Sequence, residues 1–282
     1  MPDRLRTPSL AALLFALNAY ICRGLFGIEY LRHMGSIEAS FIGISRYILG
    51  HWRDLSWFPL WYTGIPEQNT YPPLLHSVVA LAAGTAGVSP AHAYHFVTAL
   101  LYCLGPVTLF ALVLRLSESR WTAFFAGAFY SVLSPSGWLI PKFAVDAGGI
   151  WHPIRLRDLV VWGEGPHISS LTLLPLALLL LDLALDRRRD SRHARYFTLA
   201  VLGLASVALT NVIGSVGLAL GVAAYLLAKT GRRNALISAA IGVAAYLLAM
   251  PWIPPSTIAT IQHNAEHMRA DYSAAYRALP LW

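Results

Sequence analysis

The stretch DRRRDSRHARYFTLAVLGLASVALTNVIGSVGLALGVAAYLLAKTGRR, residues 186–233, decides the fold. Two basic clusters, Asp186 to Arg195 and Lys229 to Arg233, bracket an apolar run from Tyr196 to Ala228 with Asn211 and Gly214 in its middle. A helix needs about 20 residues, with a working range of about 17 to 25, to cross a hydrocarbon layer roughly 30 Å thick. The run is too long for one crossing and short for two. Lys and Arg in short connectors stay on the cytoplasmic side, so if both clusters lie inside, the run crosses twice and turns near Asn211.

Working outward, five further apolar stretches are long enough to cross: Pro8 to Gly27, Ala91 to Leu114, Trp121 to Pro141, His167 to Leu185 and Ala235 to Trp252. Arg4 and Arg6, Arg115 and Arg120, and the two clusters above hold twelve of the 21 basic residues, against the four acids Asp3, Glu118, Asp186 and Asp190. All four groups face inward in one arrangement only. The hairpin turns at Asn211, and the marginal run Leu74 to Val88 does not cross but lies on the outer face or dips into it. The expected architecture is one all-α membrane domain of seven spans (about 8–27, 91–114, 121–141, 167–185, 196–210, 212–228 and 235–252). Its N-terminus is inside and its outer segments are 28–90, 142–166 and 253–282.

Composition agrees. The 282 residues are 56% hydrophobic and 12% charged, against roughly 25% charged in soluble domains. Nine Trp and thirteen Tyr suit helix ends in interfacial belts. The net charge of +7 sits in short connectors rather than along one face, which excludes a nucleic-acid reading. Cys22 and Cys103 lie in apolar stretches outside any metal or redox spacing, and no disulfide is expected. MPDRLR before the first apolar run has the charged start of a secretory signal without a convincing cleavage site, so it reads as an uncleaved span.

The outer segments carry the polar chemistry. Glu29 follows the first span, with Arg32, His33 and Glu38 beyond; in helix, Glu29, Arg32 and His33 share a face. They are either interfacial anchors or a base and anion-binding group. The tract Trp57 to Pro73 is a sugar-stacking lid or an aromatic belt. In the second outer segment, VWGEGPHISS places Glu164 and His167 three apart, as two metal ligands or as a capped helix start. Asn211 lines a cavity or caps two helices. Asp182 is placed to meet the basic connectors.

Three of these features resemble the membrane-embedded GT-C glycosyltransferases, which include oligosaccharyltransferases, protein O-mannosyltransferases and aminoarabinose transferases. They are the acid just outside the first span, Glu29; the phrase WYTGIPEQNTYPPLLH before a surface helix; and a span ending Leu133, Ser134, Pro135, followed by GEGPH leading to Pro175. The resemblance implies transfer of a sugar from a polyprenyl-phosphate donor to a lipid, glycan or protein acceptor on the outer face of a bacterial or archaeal cell membrane. It implies Glu29 as the catalytic acid and Arg32 and His33 on the donor phosphate. Glu38, Glu67, Tyr71 and Asn211 complete the substrate-binding set, and Glu164 and His167 take a divalent metal, Mg or Mn. Glu29 departs from the family's usual aspartate. Members commonly continue with further spans, so the chain reads as a fragment, a minimal enzyme or a core needing a partner subunit. Two other functions are weighed: a carrier or flippase for a lipid-linked substrate, on the polar residues Asn18, Arg23 and Asn211, and a non-catalytic membrane subunit.

Overall fold

A computed structural model describes residues 3–33, 36–134, 137, 145, 148–186 and 193–278. Apart from residues 137 and 145, the end of the expected third span (135–141, with Pro135) and the start of the second expected outer segment (142–147) lie outside them, as do residues 187–192 of the basic run and the last four residues.

The chain is all-α apart from a two-residue antiparallel pairing of Trp57–Phe58 with Ile65–Pro66. Helix α1 (Asp3–Ile21) passes through a 3-10 turn, Arg23–Gly27, into the first outer segment. That segment contains α2 (Glu38–His51) and α3 (Pro73–Ala86). At 14 residues, α3 is too short to cross, as expected for Leu74 to Val88. Gly87, in the left-handed conformation at φ 65°, ends it. Helix α4 (Pro90–Ser117) begins where Ser89 Oγ accepts from His92 N (3.0 Å) and Pro90 takes the first turn. Helix α5 (Arg120–Val132) follows, then α6 (Ile154–Arg157), α7 (Gly165–Leu185), α8 (His193–Thr210), α9 (Val212–Ala228), α10 (Arg232–Ala249) and α11 (Pro255–Ala278).

Among the described residues, α4 and α7 are long and apolar enough to cross a membrane; the apolar parts of α1, α3, α8 and α9 are shorter. These two long helices pack on each other, and α7 also packs along α8. Ala177, Leu181 and Ala184 of α7 meet Ala200, Leu204 and Val207 of α8, with Leu218 of α9 and Ile241 of α10 closing this core. Helix α9 approaches α7 through small residues: a Cβ at Gly214 would lie 2.5 Å from Ser170 Oγ, and one at Gly217 would lie 3.2 Å from Leu174. Close contact through small residues suits helices that lack a hydrophobic drive to associate. The turn between α8 and α9 falls at Asn211, as the charge pattern predicts.

Outward faces are apolar. Trp121, Phe125 and Phe129 line one side of α5, and Ile213, Val216, Leu220 and Leu227 run along α9, all exposed. Contiguous apolar surface of this kind calls for hydrocarbon or a partner rather than water.

Antiparallel packing gathers Arg115, Lys229, Arg232 and Arg233 at one end. Leu10 and Leu14 of α1 lie by Phe110 and Val113 of α4, which sets the start of α1 beside the end of α4. There Asp182, 1% exposed, accepts from Arg115 Nε (2.6 Å), Tyr225 OH (2.5 Å) and Lys229 Nζ (2.5 Å). Arg115 Nη2 also donates to Asp186 (2.7 Å) and Arg233 Nη1 to the Leu185 carbonyl (3.2 Å). Asp182 meets the basic connectors as its position in the sequence suggests.

Candidate functional site at the opposite end

The other end is built where the segments expected to face outward, 28–90 and 148–166, touch. Helix α6 runs into a π-helical turn, Asp158–Trp162, which Gly163 reverses at φ 74° before Pro166 opens α7. The Trp162 carbonyl accepts from Ile37 N (3.0 Å) and the Gly163 carbonyl from Tyr94 OH (3.0 Å). A Cβ at position 163 would sit 2.2 Å from Ser36 Oγ and 2.7 Å from Glu38 N. Glycine is therefore required twice over, by its backbone angle and by the closeness of the first segment.

Glu38, 4% exposed, opens α2 beneath this contact. Its Oε1 accepts from Leu31 N (2.9 Å), and its Oε2 lies 2.9 Å from His95 Nε2. His95 Nδ1 is 2.9 Å from the Ala91 carbonyl. Oε1 thus holds the first segment to itself and Oε2 joins it to α4. Burial demands that a carboxylate be partnered inside the protein, and Glu38 serves as a tie between the segment and α4.

Glu29, Arg32 and His33 stand on an exposed stretch that is not helical, so the shared helical face does not form. Glu29 Oε2 instead accepts from Ser89 Oγ, the cap of α4, and the His33 ring meets Trp162 edge-on at 6.4 Å. Beside them lies a groove of about 350 Å³ with Ile21, Leu25, Ile28, Leu156 and Val160 among its walls and Arg32 in its lining.

Tyr71, Asn211, Glu164 and His167 come together across α3, α7 and the α8–α9 turn. Asn211 Nδ2 donates to Tyr71 OH (2.8 Å), while its Oδ1 accepts from Gly214 N (3.0 Å) and caps α9. Both readings of Asn211 meet here, since it caps a helix and reaches the cluster. His167 lies beside Asn211, and its Nδ1 is buried without a partner. Burial pushes the Tyr71 hydroxyl up to about 12, and the nearby charge of Glu164 adds to this. Burial, then the charge of Asp158, raises the Glu164 carboxyl above the ordinary range; burial raises Asp158 too, against the pull of His167 and Arg157. Of the carboxylates it is Asp158 whose charge acts on His167. Among the described residues no three metal-ligating side chains converge. Glu164 and His167 therefore remain short of a metal-binding donor set.

Glu67, 4% exposed, reaches instead to Trp252 at the end of α10. Burial raises its carboxyl, and Oε1 has no partner.

Sequence reasoning missed Asp158, Tyr94, His95 and His76. The fully buried His76 stacks on Phe41 (5.7 Å) and meets Tyr71 edge-on (5.6 Å), and burial takes it down to about 3. Tyr94 and His95 sit inside an apolar run, where nothing local sets them apart. Asp158 alone had a usable signal, as an acid six residues before Glu164 in a loop of mixed charge.

No family model, curated protein or solved structure matches the chain.

Proposed function

We propose that this chain is a seven-span membrane glycosyltransferase that moves a sugar from a polyprenyl-phosphate donor to an acceptor on the outer face. The carrying observation is Arg32 in the lining of an apolar groove at the end away from the basic connectors, with exposed Glu29 three residues before it on the same stretch. A phosphate on a hydrocarbon chain asks for that combination, a wall that accepts the chain and a guanidinium that hydrogen-bonds the phosphate. The exposed apolar faces of α5 and α9 support the seven crossings, and the gathering of Arg115, Lys229, Arg232 and Arg233 at one end supports a cytoplasmic placement for it.

In this reading Glu29, oriented by Ser89, accepts the proton of the acceptor hydroxyl as that oxygen bonds to the anomeric carbon. The bond from that carbon to the phosphate oxygen breaks, and the electron pair leaves with the phosphate, which Arg32 holds. Glu164, Tyr71 and Asn211 form the polar wall for sugar hydroxyls. The donor set at Glu164 and His167 is too small for a resident metal, and no step is assigned to one.

A carrier is less well supported. Asn18 donates to Ser131 Oγ (2.8 Å) and the Leu14 carbonyl (2.9 Å), and Arg23 to the Tyr20 carbonyl (3.0 Å). Two of the three polar residues that motivated it thus bind helices rather than mark a path.

The test is transfer from radiolabelled polyprenyl-phosphate sugars by purified protein. Glu29→Gln should lower the rate by at least about 100-fold, the usual range for removing a general base, with unchanged melting temperature. Full activity in that variant removes Glu29 from the mechanism. Donor binding without turnover by the unaltered protein points to the non-catalytic subunit.

A further inference from the structure

Cys22 and Cys103 are 81 residues apart, yet their sulfurs lie 3.6 Å from each other in the interior. Cys22 closes α1 just before the 3-10 turn Arg23–Gly27, and Cys103 belongs to α4. Around them Leu25, Ala99, Tyr102 and Ile168 form an apolar cluster. The guanidinium of Arg155, held over the rings of Tyr102 (4.5 Å) and Tyr130 (4.1 Å), acts electrostatically on both sulfurs. Cys22 also lines the groove that contains Arg32, while Cys103 is fully buried, so a small molecule entering there meets Cys22 first.

We propose that Cys22 and Cys103 form a reversible dithiol latch, oxidised by a peroxide admitted through the groove to a disulfide that joins the end of α1 to α4. Peroxide oxidises the Cys22 thiol to a sulfenic acid and one water leaves. The Cys103 sulfur then attacks that sulfur, the S–S bond forms and a second water leaves. Two electrons pass from the two thiols to one peroxide. The sulfurs close from 3.6 Å to about 2.05 Å, the length of an S–S bond. The bond fixes one flank of the segment carrying Glu29, whose other flank is already held by Ser89. Only this consequence for activity rests on the glycosyltransferase reading; the latch does not.

The full chain in detergent is treated with hydrogen peroxide, denatured, alkylated with N-ethylmaleimide and weighed intact. Untreated protein should take two adducts; treated protein should take none and weigh two hydrogens less, and a phosphine reductant should restore both adducts. Cys103→Ser should fail to show that loss of two hydrogens, and Cys22→Ala gives the same control if serine disturbs folding. Two surviving adducts after treatment, loss of thiols as stable oxygen adducts, or disulfide-linked dimers overturn the proposal. Hydrogen exchange supplies the second reading. Backbone amides of residues 23–31 should exchange at least about threefold more slowly after oxidation, as expected when local opening is restrained. Equal rates overturn the latch. Neither measurement uses transfer activity, so a failed latch and a failed enzyme assignment are told apart.

Discussion

The two ends of the bundle handle buried charge in opposite ways. At the basic end, Asp182 receives three donors from α4 and α9, and each bond is at most 2.6 Å long. At the other end, Glu67 Oε1, His76 Nε2 and His167 Nδ1 are buried without partners, and the carboxyls of Asp158 and Glu164 are crowded toward protonation. A network whose members are all hydrogen-bonded holds helices in place. Unpaired polar groups carry a desolvation cost, which under the proposed function a bound polyol would relieve. The contrast is between a closed network at one end and, beside the partnered Glu38, several unpaired groups at the other.

The contrast breaks most visibly at Asp182. Asp182→Ala leaves Arg115 and Lys229 facing each other without their shared counter-charge. Arg115 and Lys229 are a third and a half exposed and Arg115 keeps Asp186, so the loss should be about 1.5–3 kcal/mol, the range for hydrogen bonds to charged groups, read as denaturant stability in detergent. Transfer per folded molecule should be unchanged. A loss below about 1 kcal/mol, typical of surface pairs, makes the basic end ordinary solvated charge. Asn211→Ala comes next, at about 1–2 kcal/mol for a lost cap and one hydrogen bond. Its companion Tyr71→Phe should lose only the bond, and equal losses in the two variants would show that the cap contributes nothing.

The smallest effect is in pH. The carboxyls of Glu67 and Glu164 lie higher in the folded chain than in the unfolded one, so the folded state binds protons more tightly. The stability they contribute is fully present below the ordinary carboxylate range and is lost as pH rises through their raised folded values. Melting temperature should fall across that window. Glu67→Gln should flatten the fall and raise the melting temperature above it, whereas an unchanged profile would mean that Glu67 titrates normally.

Much of the architecture was readable because charge in short connectors is a one-dimensional signal. The helix break at Asn211 and the clustering of Arg115, Lys229, Arg232 and Arg233 at one end follow from where Arg and Lys fall along the chain. Tertiary closure was not readable. The Glu38–His95 contact joins residues 57 apart and the cysteine pair joins residues 81 apart, and no local spacing encodes either. Glu29, Arg32 and His33 were read through helical periodicity, but the chain leaves helix at Ile28, so their placement depends on Ser89 and Trp162 from other segments. Glu164 and His167 were paired by separation alone, whereas the turn at Gly163 brings Asp158 into electrostatic contact with both.

Gly163 fastens the two outer segments as a rivet fastens two plates. Its missing side chain lets Ser36 and Glu38 press against the reversal that opens α7, and Tyr94 clamps the same peptide from α4. A substrate that tilted the first segment would drag the mouth of α7 along with it. Glu29 on one plate and Glu164 on the other would then move as a single jaw.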